Sequence, residues 1–234
     1  MCSINHEKKS IFIHIPKTAG IYVRENLSNY YGFELFCLKR PDHIKICKTD
    51  VKLNKNNQLC FCNKALSVLN YYKTSKHLSD LMDMDEEKWN TYYKFCFVRN
   101  PYDRIVSAWN YTCQTEQLNI SFNKYLKLKD IVNENEYFHV FFPQSKQLLN
   151  DKNEICFDFI GKYENLEDDL KKILITIGFK EDEINHTKMA KNKRPHKSKN
   201  ILIKDQETLE MVNEICNSDF EILDYEKITD FANL

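Results

Sequence analysis

The sequence predicts an α/β domain, with a central parallel β-sheet flanked by helices, on three observations. Two apolar runs rich in β-branched and aromatic residues, 10–15 and 93–98, each pass through a short loop into a helix-compatible stretch. A third run, 156–160, does the same ahead of a segment with a one-sided apolar stripe. Strands that alternate with helices are joined by crossovers, and crossovers make neighbouring strands parallel. The 234 residues are enough for one large domain with a sizeable core. No internal repeat or clear linker divides them, so residues 1–234 are read as a single domain.

Each element has a local cause. Ser10-Ile11-Phe12-Ile13-His14-Ile15 ends at Pro16, and a small-residue turn leads to a helix over 19–31. Tyr93-Lys94-Phe95-Cys96-Phe97-Val98 is a buried-type strand that runs into Arg99-Asn100-Pro101. There Asn100 suits an N-cap, Pro101 the first helical position and Asp103 the positive helix end. The third strand stops at Gly161, and Leu166, Leu170, Ile173, Leu174 and Ile177 form one helical face closed by Gly178. A last helix starts at Asp205, its cap, with Leu209, Val212, Cys216, Phe220 and Leu223 on one side.

Composition narrows the class. Hydrophobic residues make up 42% and charged residues 29%, with 34 basic against 34 acidic side chains, the pattern of a soluble globular chain. A net charge of zero lacks the basic field that nucleic-acid binding requires. No signal-type N-terminus or membrane-length apolar run occurs, so no membrane partner and a cytoplasmic location are expected. The nine cysteines are an odd number without paired Cys-x-x-Cys spacing, which suits reduced thiols; Cys60-x-Cys62 lacks the second half of a zinc site. The Asn-x-Ser/Thr triplets at Asn26, Asn110, Asn119 and Asn185 are expected by chance in an Asn-rich chain and are read as unglycosylated.

Chemistry is concentrated in two loops. His14-Ile15-Pro16-Lys17-Thr18-Ala19-Gly20 lies where a strand hands over to a helix, and there free N–H groups and the helix dipole favour an anion. The plain alternative is a turn with an exposed lysine. A nucleoside-triphosphate P-loop needs Gly-x-x-x-x-Gly-Lys-Ser/Thr, whereas here Lys-Thr precedes a single glycine, so a P-loop-type kinase is disfavoured. In the second loop, Arg99 closes a strand and Ser107 follows eight residues later on a helix, a planar fork and a hydroxyl suited to phosphate oxygens.

Together, Pro16-Lys17-Thr18-Ala19-Gly20 and Phe95-Cys96-Phe97-Val98-Arg99-Asn100-Pro101-Tyr102-Asp103-Arg104-Ile105-Val106-Ser107 resemble the two donor signatures of sulfotransferases that use 3′-phosphoadenosine 5′-phosphosulfate (PAPS). The carbohydrate-type group, which includes the heparan sulfate 2-O- and chondroitin-type enzymes, is the nearest in pattern. Lys76-His77, Trp89 to Phe95, Phe142-Pro143-Gln144, Phe159 to Leu166 and Asp219-Phe220-Glu221 extend the resemblance, with residues 32–70 unmatched. The resemblance implies a P-loop-like sulfotransferase fold and sulfuryl transfer from PAPS to a hydroxyl of a carbohydrate or similar acceptor, without a metal.

Carried over residue by residue, Lys17 meets the 5′-phosphosulfate and offsets charge on the bridging oxygen. Thr18, Ala19 and Gly20 present backbone N–H groups, Thr18 also its hydroxyl, and Arg99 and Ser107 hold the 3′-phosphate. His77 is the implied general base, since such bases lie between the two signatures and imidazole titrates near neutral pH. His43 is the reserve; Asp80, Glu86 and Glu87 are carboxylate alternatives, and His14 is read as packed beneath the loop. Part of the basic stretch 188–199 closes over the nucleotide by the same resemblance. Ile21 and Tyr22 stand where members commonly carry hydroxyl residues, which leaves open a chain that binds adenosine bisphosphate without turnover.

Overall fold

The computed structural model describes residues 2–36, 52–53, 59–60, 86–115, 119–127, 143–150, 152–184 and 202–234. They fall into two compact units, 1–39 with 74–100 and 147–195, and 40–73 with 101–146 and 196–234.

The first unit is built on a five-stranded sheet. Its strands are β1 (Cys2–Asn5), β2 (Ser10–Ile13), β3 (Glu34–Phe36), β6 (Tyr93–Val98) and β7 (Phe159–Lys162), in the order β3-β1-β2-β6-β7. The expected parallel core is there: β2 pairs with β6 from Ser10↔Tyr93 to Ile13↔Cys96, and β6 with β7 from Phe95↔Phe159 to Val98↔Lys162. The sheet is nonetheless mixed, because β1 runs antiparallel to both β2 and β3. Neither flanking strand was read from sequence. In β1 the residues Ser3 and Asn5 alternate with Cys2 and Ile4, and all four are buried, which a polar-looking tetrapeptide does not announce.

The third strand lies later than the 156–160 expected. Gly161 sits inside β7 rather than after it, paired with Phe97 of β6, and a Cβ there would stand 2.4 Å from the Phe97 ring. Asp158 ends the preceding segment, its Oδ2 accepting from the Lys94 N–H at 2.6 Å. Helix α1 (Gly20–Tyr30) and a later helix, α5 (Leu166–Thr176), supply Tyr22, Val23, Leu27, Leu170, Ile173 and Leu174 to the core with Phe12, Phe95 and Phe97. Gly178, at φ +93°, takes the left-handed conformation that stops the chain after α5. Helix α2 (Glu86–Thr91) leads into β6.

The second unit is largely helical, with α3 (Pro101–Thr115), α4 (Phe122–Leu126), α6 (Gln206–Ile215), α7 (Asn217–Leu223) and a strand pair, β4 (Lys52–Leu53) and β5 (Leu59–Cys60). Pro101 opens α3 with Asp103 in its first turn, and Asp205 caps α6 by accepting from the Thr208 N–H at 2.8 Å. The single terminal helix expected from Asp205 is two helices, broken where Cys216 leaves helical geometry at φ −101°. Its apolar face survives the break: Leu209, Val212, Cys216, Phe220 and Leu223 are all buried. Tyr102 ties α3 to α6 and to the chain end, donating to Asn213 Oδ1 at 2.6 Å and accepting from the Ile228 N–H at 2.9 Å.

Cys2, Cys96, Cys113, Cys156 and Cys216 are free thiols. Among the described residues no helix is long and apolar enough to cross a membrane. Asn26 and Asn110 lie in α1 and α3 with their amides bonded back to the carbonyls of Tyr22 and Val106, four residues earlier.

Candidate functional site

The segment from His14 to Ala19 connects β2 to α1. Ile15 and Thr18 are buried, and the Thr18 hydroxyl donates to the Ile15 carbonyl at 2.9 Å, closing the turn on itself. Lys17 and Ala19 take left-handed conformations, at φ +70° and +64°, with Thr18 between them outside that region. For non-glycine residues each such conformation costs on the order of 1–3 kcal/mol, so the surrounding structure holds them there. Alternation of left- and right-handed residues turns successive N–H groups toward one concavity, the geometry that receives anions. The loop also opens an 11-residue helix whose first N–H groups and dipole point the same way.

Gly20 is demanded by contact. A Cβ on it would lie 1.8 Å from His14 Cδ2 and 2.4 Å from His14 Cγ. His14 thus lies beneath the loop, its ring nearly parallel to Phe12 with the planes at 16°.

Arg99 and Asn100 follow β6 directly. The guanidinium carbon of Arg99 lies 4.3 Å from the centroid of the Tyr163 ring, a cation–π stack, and the Asn100 N–H donates to Glu164 Oε1 at 2.7 Å. Tyr163 and Glu164 belong to the 3₁₀ turn Tyr163–Asn165 that follows β7. The connections after β2, β6 and β7 therefore gather at the carboxyl ends of three parallel strands, where α/β sheets bind ligands.

A cavity of about 420 Å³ opens there, lined by Ala19 and Tyr22 from one side and by Tyr163, Glu164, Asn165, Leu166, Glu167 and Asp168 from the other. Burial, helped by the negative charge of Glu167 and by Tyr31, pushes the Tyr22 hydroxyl up to about 12, so it stays protonated and able to donate at neutral pH. Ile21, next to it, is 45% exposed and carries no donor.

Lys17, Thr18, Ala19, Gly20 and Arg99 all lie in the first unit, on elements that border this cavity or stack on its wall. Ser107 lies in the second unit, buried on α3. Glu87 is an exposed residue of α2; Glu86 opens the same helix. His77, His43, Asp80, Cys62 and the basic stretch 188–199 lie outside the described residues. Among the described residues no cluster of three or more His, Cys, Asp or Glu side chains is placed to hold a metal ion. The roles of Tyr163, Glu164 and Tyr22 as cavity wall were not read from sequence. The available signal was an aromatic–acidic pair directly after a strand, and its meaning depends on what β6 and α1 bring opposite it.

The fold is that of an α/β protein with a cavity at the carboxyl ends of its parallel strands, lined by Ala19 of the strand-to-helix loop and by Tyr163, on whose ring Arg99 stacks. The family model described as "Sulfotransferase family" matches residues 2–226, and the chain belongs to that family. Its members are transferases, and membership supports sulfotransfer in general. A protein of Archaeoglobus fulgidus, described as uncharacterized, is 37% identical over 92 residues, 39% of this chain and 72% of that protein. No solved structure matches the chain.

Proposed function

We propose that the chain transfers the sulfuryl group of PAPS to a hydroxyl of a carbohydrate or a similar small acceptor, with residues 1–234 acting as one catalytic module. The observation that carries this reading is the cavity at the carboxyl ends of β2, β6 and β7, lined by Ala19 of the loop in which Lys17 and Ala19 are left-handed and by the Tyr163 ring on which Arg99 stacks. A nucleotide phosphorylated at both ends needs two anion sites and a wall for its base. The loop with Lys17, Thr18, Ala19 and Gly20 suits the 5′-phosphosulfate, Arg99 and Ser107 suit the 3′-phosphate, and Tyr22 with Tyr163 supplies aromatic wall.

In the reaction the acceptor oxygen forms a bond to sulfur while the bond between sulfur and the bridging 5′-phosphate oxygen breaks. The acceptor proton passes to the base, assigned to His77, and adenosine 3′,5′-bisphosphate leaves with negative charge that the Lys17 ammonium offsets. Charge on the bridging oxygen grows only as that bond opens, so the lysine contributes more to the transition state than to the bound donor. No metal is needed in this scheme, since Lys17, Arg99 and the N-terminus of α1 meet the donor's charge.

A second reading is favoured by Ile21, whose exposed side chain adds no donor at a position where hydroxyl residues are common in the family. In it the chain binds adenosine 3′,5′-bisphosphate without turnover. Equilibrium titration with adenosine 3′,5′-bisphosphate in the absence of magnesium, followed by labelled-sulfate transfer from PAPS to an acceptor library, tests both. Tight binding with transfer supports the enzyme, binding without transfer the second reading, and preference for ATP with magnesium would refute both.

A further inference from the structure

Carboxylates close the β6–β7 ladder at both ends. Its backbone pairing runs from Phe95↔Phe159 to Val98↔Lys162, in one register throughout. One residue before the first pair, the Lys94 N–H donates to Asp158 Oδ2 at 2.6 Å and the Asp158 N–H donates to the Lys94 carbonyl at 2.8 Å. Past the last pair, β7 gives way to the 3₁₀ turn Tyr163–Asn165, which takes its backbone out of the ladder. The register nonetheless persists for two more residues through side chains. Arg99 lies over the ring of Tyr163, 4.3 Å from its centroid, and the Asn100 N–H donates to Glu164 Oε1 at 2.7 Å. Glu164 thus stands in for the next backbone carbonyl, as a charge-assisted acceptor.

This bond bears on Arg99. The Asn100 N–H belongs to the peptide plane that begins at the Arg99 carbonyl, so fixing it fixes ψ of Arg99. A stack on an aromatic face is by itself a weak hold for a long, partly exposed side chain, and its geometry depends on where the backbone places the stem. We infer that Glu164 is a positioning residue: through the Asn100 N–H it fixes the peptide that follows Arg99 and thereby keeps the guanidinium stacked on Tyr163. The consequence for ligand rests on the reading of Arg99 as a 3′-phosphate contact.

Glu164 also lines the cavity, so the test separates its reach from its charge. Glu164→Gln keeps an acceptor oxygen at the same reach and loses the charge, Glu164→Asp keeps the charge and falls one methylene short, and Glu164→Ala loses both. The side chain is exposed, so all three variants should fold. In proton–nitrogen NMR spectra the Arg99 Nε–H signal carries the ring-current shift of Tyr163, and Tyr163→Leu supplies its unstacked position. Glu164→Ala and Glu164→Asp should each move that signal at least about halfway to the unstacked position, and Glu164→Gln less than about a quarter of the way. Calorimetric titration should rank the variants alike, with adenosine 3′,5′-bisphosphate weakened about fivefold relative to adenosine 5′-phosphate in Glu164→Ala and Glu164→Asp, and less than about twofold in Glu164→Gln. An unmoved Arg99 signal in Glu164→Ala overturns the inference. A ranking by charge, with Glu164→Asp like wild type and Glu164→Gln like Glu164→Ala, overturns it as well. If the signal moves as expected while the ratio of affinities holds, the positioning stands and Arg99 is removed from the 3′-phosphate. If the wild-type protein shows no preference for the 3′,5′-bisphosphate, the donor reading falls and the Arg99 signal decides the positioning by itself.

Discussion

Replacing Gly20 by alanine separates the two reasons a glycine can be required. Gly20 is the first residue of α1 and does not take a left-handed φ, so its backbone accepts a side chain. What opposes the substitution is the His14 ring, with Cδ2 at 1.8 Å, Nε2 at 2.1 Å and Cγ at 2.4 Å from the added Cβ. Because the contact includes Cγ, turning the ring about its own bond does not relieve it; the side chain must leave its place beside Phe12. Overpacking of that kind costs about 1–3 kcal/mol, against a helix-propensity gain of at most about 1 kcal/mol for alanine over glycine. Gly20→Ala is expected to destabilise by about 1–2 kcal/mol and to lower Tm by roughly 2–8 °C for a chain of this size. In a His14→Ala background the clash is gone, and the same substitution should stabilise by about 0.5–1 kcal/mol. Thermal and urea unfolding of the four proteins in this cycle would measure the change of sign, and adenosine 3′,5′-bisphosphate titration should follow it as the loop N–H groups are displaced or restored. Equal destabilisation in both backgrounds would refute the view that Gly20 exists to admit His14.

Arg99→Ala should weaken adenosine 3′,5′-bisphosphate binding by about 1.5–3 kcal/mol while leaving adenosine 5′-phosphate nearly unchanged, and Arg99→Lys should recover only part, since the planar fork and the Tyr163 stack are lost. Equal losses for both nucleotides in titration would make Arg99 structural. Lys17→Ala should reduce kcat more than it raises the donor KM, measured by labelled-sulfate transfer, because the charge it offsets appears in the transition state. Unchanged turnover would remove it from the mechanism. His77→Ala should leave nucleotide titration intact and lower transfer about 10²- to 10⁴-fold. Full turnover across pH would move the base to His43 or to a carboxylate such as Asp80.

The sequence by itself determined the elements whose causes are local. The runs at β2 and β6 carry their own β-branched and aromatic residues, Pro101 and Asp205 mark helix starts through φ and capping, and Gly178 marks a helix end by the conformation it alone adopts cheaply. The local form of the loop from Pro16 to Gly20 and of the segment from Arg99 to Ser107 was legible for the same reason: strand, turn and helix start are contiguous in each. Tertiary structure decided what depends on partners distant in the chain. Ser3 and Asn5 are strand residues because β2 and β3 pair on either side of β1, and Gly161 is strand rather than stop because it pairs with Phe97 of β6, whose ring leaves no room for a Cβ there. Tyr163 becomes the face on which Arg99 lies through the β6–β7 register, and Tyr22 becomes cavity wall through the position of α5.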